Sequence, residues 1–404
     1  MLWAISFFNY ADRQAIFSVF PLLQKELGLD SVQLGMLGSS FAWIYGLSGQ
    51  FAGIIVDRVK RRSAILGGLY TWSIICMATS LFTSFRGLFI MRAAEGLGET
   101  FYYPASMSLL SDYHGKKTRS KAIGIHQTSV YIGTIAGGFF AALIAQQYGR
   151  RWSFVVFGGL GILLGFVLNR YLREPARGEA ERSDDGSGFP EANHRLQIRE
   201  GIKIVWTSPI TLLLMAAFLC SNFVAVVLLS WMPKFLYDQF HMGLAMAGLT
   251  ATIFVQLASM VGSVYGGWMA DWMSRRTPRG RILVQMIGVL AGAPFVALCG
   301  LTRSVFWLVV ALTAWGFFKG LYDANIFASL FDVVRPEARG TAAGFMNTVG
   351  WLGGGGTAPL AIGLIAQHYN LGFGIALASV VYIAAAILLL SAALSLPRRT
   401  PIVP

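Results

Sequence analysis

The chain has 404 residues, of which 55% are hydrophobic and 13% charged, with a formal net charge of +13 and a mean hydropathy of +0.60. An average soluble domain carries about 25% charged residues, so the composition excludes a water-soluble globular protein and describes a chain solvated by lipid. The basic excess does not point to nucleic acid, because it is spread over many short loops and forms no single patch.

A helix crosses the hydrocarbon core with about 20 predominantly apolar residues. Twelve such segments follow one another, at about 2–24, 33–56, 63–83, 87–111, 120–147, 152–171, 209–236, 245–270, 281–301, 304–331, 340–367 and 371–395. The first carries Asp12 and Arg13 and lacks a small-residue cleavage site, so it is expected to stay in the protein as a helix and not to act as a signal peptide. The eleventh contains Gly353 to Gly356 and Pro359, breakers that a span tolerates where neighbouring helices re-satisfy its backbone. Between the sixth and seventh lies the polar stretch "LREPARGEAERSDDGSGFPEANHRLQIREGIKIVWTS". It reads as a linker, with "HRLQIREGIKIVW" suited to a short interfacial helix. The expected division is a six-helix bundle over 1–171, a linker over 172–208 and a second six-helix bundle over 209–404.

Twelve spans place the loops alternately on two sides. One side holds 23 of the 32 Lys and Arg residues, among them Arg58, Lys60, Arg61 and Arg62; the other holds six, and Arg13, Arg92 and Lys319 lie within spans. Basic loops stay in the cytoplasm, so both termini and the linker are expected there, in a multi-pass inner-membrane protein. Cys76, Cys220 and Cys299 all fall within spans and read as small packing residues. His114, His126, His194, His241 and His368 are scattered. No zinc-ligand spacing and no nucleophile–base set is present, so no enzyme activity, metal or cofactor is expected.

The two halves repeat one another. "LLSDYHGKKTRSKAIGI" matches "SLFDVVRPEARGTAAGF" at a constant separation of 220, which aligns Asp112 with Asp332 and Arg119 with Arg339. "GIIVDRVKRR" matches "GWMADWMSRR", with Asp57 opposite Asp271 at a separation of 214. Matching polar residues at loop boundaries indicate a duplicated six-helix unit, an arrangement in which a membrane site alternates between two faces.

A charge at the centre of a span costs about 2.5–3.5 kcal/mol on insertion scales, so charged residues there are candidates for function. Asp12 and Arg13 lie about ten residues from each end of the first span, with Asn9 near the same face and Tyr10 beside them. In the fourth, "RAAEGLGETFYYPA" sets Arg92, Glu95, Glu99 and Tyr103 along one stripe. Lys319 and Asp323 stand four residues apart in the tenth. An arginine holds a carboxylate or phosphate bidentately, and a carboxylate away from water takes up and releases a proton closer to neutrality. Together they are the minimum equipment for moving an anion with protons. An anion entering alone works against an inside-negative potential by about 2.3 kcal/mol per charge per 100 mV, and co-transported protons reverse that balance.

Gly53-x-x-x-Asp57-Arg58-x-x-Arg61-Arg62 resembles the signature loop of the major facilitator superfamily, with Lys60 where that loop usually has glycine. "NYADR" in the first span and Arg92-x6-Glu99 followed by "YPA" resemble its anion:cation symporter branch of hexonate and hexuronate permeases. The resemblance implies an all-α membrane protein with twelve transmembrane helices in two pseudo-symmetric bundles, working as a monomer. It implies substrate roles for Tyr10, Arg13 and Arg92, and proton coupling by Asp12 and Glu99. Asn347 in "GFMNTVG" is similar to the branch's substrate-binding asparagine, and Gln127 is its counterpart at a separation of 220. Gating is expected from Asp57, Arg58, Arg61, Arg62, Asp112 and Asp271, with Arg61 or Arg62 paired to Asp112. The partners implied are a small organic anion, protons and the bilayer. "NY-x-DR" and "G-x-GE-x-x-Y" also resemble the Spinster-like branch, which implies a lysolipid or another phosphorylated amphiphile as the alternative substrate. A non-transporting membrane sensor is the alternative of another class. Lys319 and Asp323 fall outside the resemblance, either neutralising each other or forming an extra anion site.

The orientation is tested by Ser187→Cys in the linker. An impermeant thiol reagent is expected to label it in permeabilised cells and not in intact ones; efficient labelling of intact cells reverses the topology.

Overall fold

The computed structural model describes residues 1–114, 118–175, 205–335 and 338–396. The greater part of the 172–208 linker, and the side chain of Asp57, lie outside what it describes. Among the described residues the chain forms twelve helical spans. They are α1 (Leu2–Ser18, then Phe20–Leu27), α2 (Ser31–Arg58), α3 (Arg61–Thr79), α4 (Phe85–Glu99, then Tyr102–Tyr113), α5 (Arg119–Tyr148), α6 (Arg150–Tyr171), α7 (Pro209–Phe240), α8 (Leu244–Ser274), α9 (Gly280–Leu301), α10 (Val305–Asp323, then Ile326–Val333), α11 (Arg339–His368 in three pieces) and α12 (Leu371–Ser395). Eight are long and apolar enough to cross a membrane on composition alone; the exceptions are α1 to α4, two of which carry the buried charges.

Four spans are interrupted, and local chemistry accounts for the breaks. Pro21 and Pro104 lack the N–H that a continuous helix would bond to the carbonyl four residues back, and α1 and α4 break just before them, at Val19 and at Thr100–Phe101. In α10 the buried Asn325 donates its side-chain amide to the carbonyls of Leu321 (3.0 Å) and Gly266 (3.2 Å), taking up backbone acceptors at the break. In α11, Val349–Gly355 ("VGWLGGG") widens into a π-helical turn between Arg339–Thr348 and Gly356–His368. Pro359 removes the donor for Gly355, and within the π-helical turn the carbonyl of Gly350 accepts from Asn222 Nδ2 at 2.7 Å.

The helices form two compact units, Met1–Asn193 with Met232–Leu249 and His194–Trp231 with Thr250–Pro404. In the first, α1 packs along α5, α3 along α6 and α2 against α4. In the second, α9 packs along α12 and against α10. The duplication extends to atomic packing. Gly96 of α4 rests on the carbonyl of Phe41 in α2, where a Cβ would stand 2.5 Å from the oxygen. The repeat aligns Gly96 with Gly316 of α10 and Phe41 with Val255 of α8. Gly316 rests on Val255 in the same way, where a Cβ would stand 2.6 Å from the oxygen. Small residues at such crossings let helices approach without a side chain between them, the usual basis of helix association in lipid.

The basic-loop ends of the two units are tied alike. Arg61, the first residue of α3, pairs with Asp112 at the end of α4. Glu174, just beyond α6, accepts from the backbone N–H groups of Arg61 (3.2 Å) and Arg62 (2.6 Å) and from Arg61 Nε (3.0 Å). It thus caps a helix start whose own cap residue, Lys60, supplies no side-chain bond. In the second unit Arg281 pairs with Asp332 through both carboxylate oxygens at 2.7 Å, and with Asp271 at 3.2 Å. Arg279 donates to the carbonyls of Leu394 and Leu396 at the end of α12.

Partial burial pushes the Glu174 carboxyl up, but its bonds from the Arg62 backbone and from Arg61 outweigh that and hold it below the usual carboxylate range. A depressed folded-state value means that the stabilisation is complete above the unfolded value and fades as pH falls through the folded one. Glu174→Ala is therefore expected to cost about 1–2 kcal/mol at neutral pH, the worth of a charged helix cap. Thermal unfolding in detergent is expected to show a lower midpoint at pH 7 and a difference that shrinks on acidification. An unchanged midpoint at pH 7 removes Glu174 from the stabilising contacts.

Candidate functional site

The charged centre of the first unit is built on close helix crossings. Gly133 and Gly137 of α5 lie against the backbone of Phe7 and Ala11 in α1, so tightly that a Cβ on either would overlap the facing carbonyl. Ala11 immediately precedes Asp12 and Arg13, so this crossing sets where both charges emerge. Gly96 holds α4 on α2 in the same manner and sits inside the stripe from Arg92 to Glu99. The result brings together Asn9, Asp12, Arg92, Glu95 and Glu99, each 1–2% exposed, with Arg13 at 8%.

Within this cluster the charges are sorted. Arg13 Nε donates to Glu99 Oε2 at 2.5 Å. Arg92 Nη1 donates to Glu95 Oε2 at 2.6 Å, one helical turn along α4. The pairing is thus Arg13 with Glu99 and Arg92 with Glu95. Both oxygens of Asp12, the second oxygen of Glu99 (Oε1), Arg92 Nε and Asn9 Nδ2 are buried without a hydrogen-bond partner among the described residues. Buried polar atoms are nearly always satisfied, so five such atoms in one cluster single it out as the candidate site. The groups acting electrostatically on Asp12 are Glu95, Glu99 and Arg92, with the Cys76 thiol beside it.

Aromatic rings enclose the arginine. The Arg13 guanidinium lies 4.5 Å from the ring centre of Tyr45 and 4.9 Å from those of Tyr10 and Phe41. Arg92 lies 4.9 Å from the same Phe41 ring. Such stacking holds a desolvated cation through the negative ring face and leaves the edge of the guanidinium, where its donors point, to a carboxylate. Tyr10 was among the residues expected at the site. Phe41 and Tyr45 were not, although their spacing of four in "FAWIY" places them on one face of α2 and is the signal that would have found them.

The remaining candidates lie elsewhere. Gln127 is exposed on α5, next to the buried His126, whose Nε2 lies 3.0 Å from the Tyr102 hydroxyl. Arg58 is exposed at the end of α2, and Arg62 bonds the Asn169 side chain at 3.0 Å. In the second unit, Asn347 is half-buried two residues before Val349, where the π-helical turn of α11 begins. Lys319 and Asp323 form an ion pair along α10. Lys319 is the counterpart of Glu99 in the repeat, which therefore has a cation in one unit where the other has a carboxylate. Among the described residues no group of histidine, cysteine or acidic side chains is arranged to hold a metal ion.

The model of the Major Facilitator Superfamily matches residues 2–358. The chain is 25% identical over 388 residues to a probable galactarate/D-glucarate transporter of Escherichia coli (strain K12), covering 90% of this chain and 85% of that one. It is 26% identical over 403 residues to a D-galactonate transporter of Escherichia coli O6:H1, covering 94% and 90%. Among solved structures, a bacterial homolog of the human lysosomal transporter Spinster, in an inward-facing and occupied conformation, superposes with a TM-score of 0.83 at 20% identity, covering 99% of this chain and 97% of that one. The twelve spans, the six-helix repeat and a family match over most of its length place this multi-pass membrane chain in the Major Facilitator Superfamily, to which it belongs.

Proposed function

We propose that the protein is a secondary active transporter that imports a small organic anion of the sugar-acid class together with protons, by alternating access. A substrate carboxylate binds Arg13, and Asp12 and Glu99 carry the protons. The observation that carries this reading is the buried Arg13–Glu99 pair at 2.5 Å beside an Asp12 carboxylate with no hydrogen-bond partner among the described residues. Relatives named as galactarate/D-glucarate and D-galactonate transporters support the substrate class.

The chemistry follows from competition for one cation. A substrate carboxylate and the Glu99 carboxylate present the same two oxygens to Arg13, so the substrate displaces Glu99 from the guanidinium. Glu99 is then buried without its counter-ion, where the neutral acid is favoured over the anion. It takes a proton as the substrate binds. On release the order reverses: Arg13 regains Glu99, and the proton leaves. Asp12 faces the Glu95 and Glu99 carboxylates and the already paired Arg92, and among the described residues it forms no ion pair, so it holds the second titratable position. Tyr10, whose ring lies against Arg13, supplies a hydroxyl suited to sugar hydroxyls. The tied loop ends at Arg61–Asp112 and Arg281–Asp332, with Asp57 and Asp271, govern closure on the basic side, which we place in the cytoplasm.

Three measurements on purified protein in vesicles test the reading. Labelled sugar acids are expected to accumulate under an inward proton gradient and not without one, with no flux of lysolipid; absence of any sugar-acid uptake rejects the function. Arg13→Lys keeps the charge but loses the planar fork, and binding is expected to weaken about 10- to 100-fold, the worth of 1.5–3 kcal/mol in charged hydrogen bonds. Wild-type affinity in that variant reduces Arg13 to a partner of Glu99. Glu99→Gln is expected to bind and exchange substrate while losing proton-driven accumulation. Undiminished accumulation removes Glu99 from the coupling.

A further inference from the structure

We infer that Glu95 is a specificity-determining residue that limits the site to anions with a single carboxylate, by neutralising the second arginine, Arg92; this rests on the transport reading above. Both guanidiniums lie against the same ring, Arg13 and Arg92 each 4.9 Å from the centre of Phe41. A six-carbon sugar diacid carries a carboxylate at each end of its chain. With one end at Arg13, its other end would find its natural counter-charge at Arg92. That position is occupied: Glu95 Oε2 accepts from Arg92 Nη1 at 2.6 Å, and the two side chains are 3% and 2% exposed.

The charge count points the same way. The cluster holds three carboxylates, Asp12, Glu95 and Glu99, against two guanidiniums, and all five groups are buried. A monoanion displaces Glu99 and replaces one carboxylate at Arg13 with another. A dianion brings a second carboxylate for which no guanidinium is left, since Arg92 is already paired with Glu95. Discrimination of this kind works by repulsion and by an occupied donor, which separates two ligands more sharply than a change in apolar contact does. Among the relatives, galactarate and D-glucarate are diacids and D-galactonate is a monoacid, so both charge classes occur among substrates of similar chains. Glu95 needs no other partner on α4 to act, because the spacing of three residues places it directly over Arg92.

The test is equilibrium binding to the purified full-length protein of two matched pairs, D-gluconate with D-glucarate and D-galactonate with galactarate. Wild type is expected to bind the better monoacid at least tenfold more tightly than its diacid. Glu95→Gln frees Arg92 and is expected to shift that ratio at least tenfold toward the diacid. The double variant Glu95→Gln with Arg92→Gln removes the freed cation without orphaning either partner and is expected to return the ratio to that of wild type. A wild type that binds the diacid as tightly as the monoacid overturns the inference whatever the variants do. So does a Glu95→Gln protein that still binds the monoacid with an unaltered ratio. If wild type binds neither member of either pair, the sugar-acid reading itself fails, an outcome distinct from monoacid binding with no discrimination.

Discussion

A guanidinium stays charged in any protein interior, and taking it out of water costs several kcal/mol unless partners replace the solvent. Arg13 meets that constraint with one carboxylate and three aromatic rings: Glu99 at 2.5 Å, and Tyr10, Phe41 and Tyr45 at 4.5–4.9 Å. The first unit is arranged to make this possible. Its helices must approach closely enough to bring α1, α2 and α4 around one cation, and glycines at the crossings of α5 on α1 and of α4 on α2 allow the approach. A buried ion pair is weak evidence for stability, since a well-packed apolar substitute is often as stable or more so. Its retention here, beside a carboxylate with no hydrogen-bond partner among the described residues, fits a site whose partners exchange.

The two arginines are treated differently. Arg13 on α1 is held by a carboxylate from another helix, α4, and is ringed by aromatic faces, so its partner can be replaced without disturbing local backbone. Arg92 is held by Glu95 on its own helix, three residues away, a pairing fixed by helix geometry. One cation is paired across helices and the other within its own helix. That asymmetry lies within one six-helix unit; the duplicated unit does not copy it. At the aligned positions of the second unit, Arg92 and Glu95 become Leu312 and Trp315, and Glu99 becomes Lys319. The duplication kept the packing glycines and the loop ties while the charged chemistry diverged.

The loop ties show how a repeat is preserved in structure when its motif drifts. Aligning the sequence signatures sets Arg61 opposite Arg275, at the separation of 214 that relates Asp57 to Asp271. In the folded units the residue that meets the repeated aspartate is Arg281, at the larger separation of 220 from Arg61. It stands at the start of α9 as Arg61 stands at the start of α3. The intervening loop absorbed the difference between the two separations. What is conserved between the halves is the position of a guanidinium at a helix start facing the end of the neighbouring hairpin, a geometric requirement that a linear motif does not record.

Twelve spans, the duplication at 220 and 214, and every buried charge in the first unit's central cluster were legible from the residues, because apolar length and the cost of burying charge act locally on the chain. The same local information told that Pro21, Pro104 and the glycine run of α11 stood inside spans. It did not tell where each helix would break, since that depends on which neighbouring side chains bond the carbonyls around the break, as Asn222 does for Gly350. Nor did it assign partners. Arg92 with Glu95 and Arg13 with Glu99, the enclosing rings of Phe41 and Tyr45, and the cap that Glu174 places on α3 all depend on which helices lie against one another and at what depth. Hydropathy sets that a segment enters the membrane; the small residues at its crossings, acting through close packing, decide which side chains then meet.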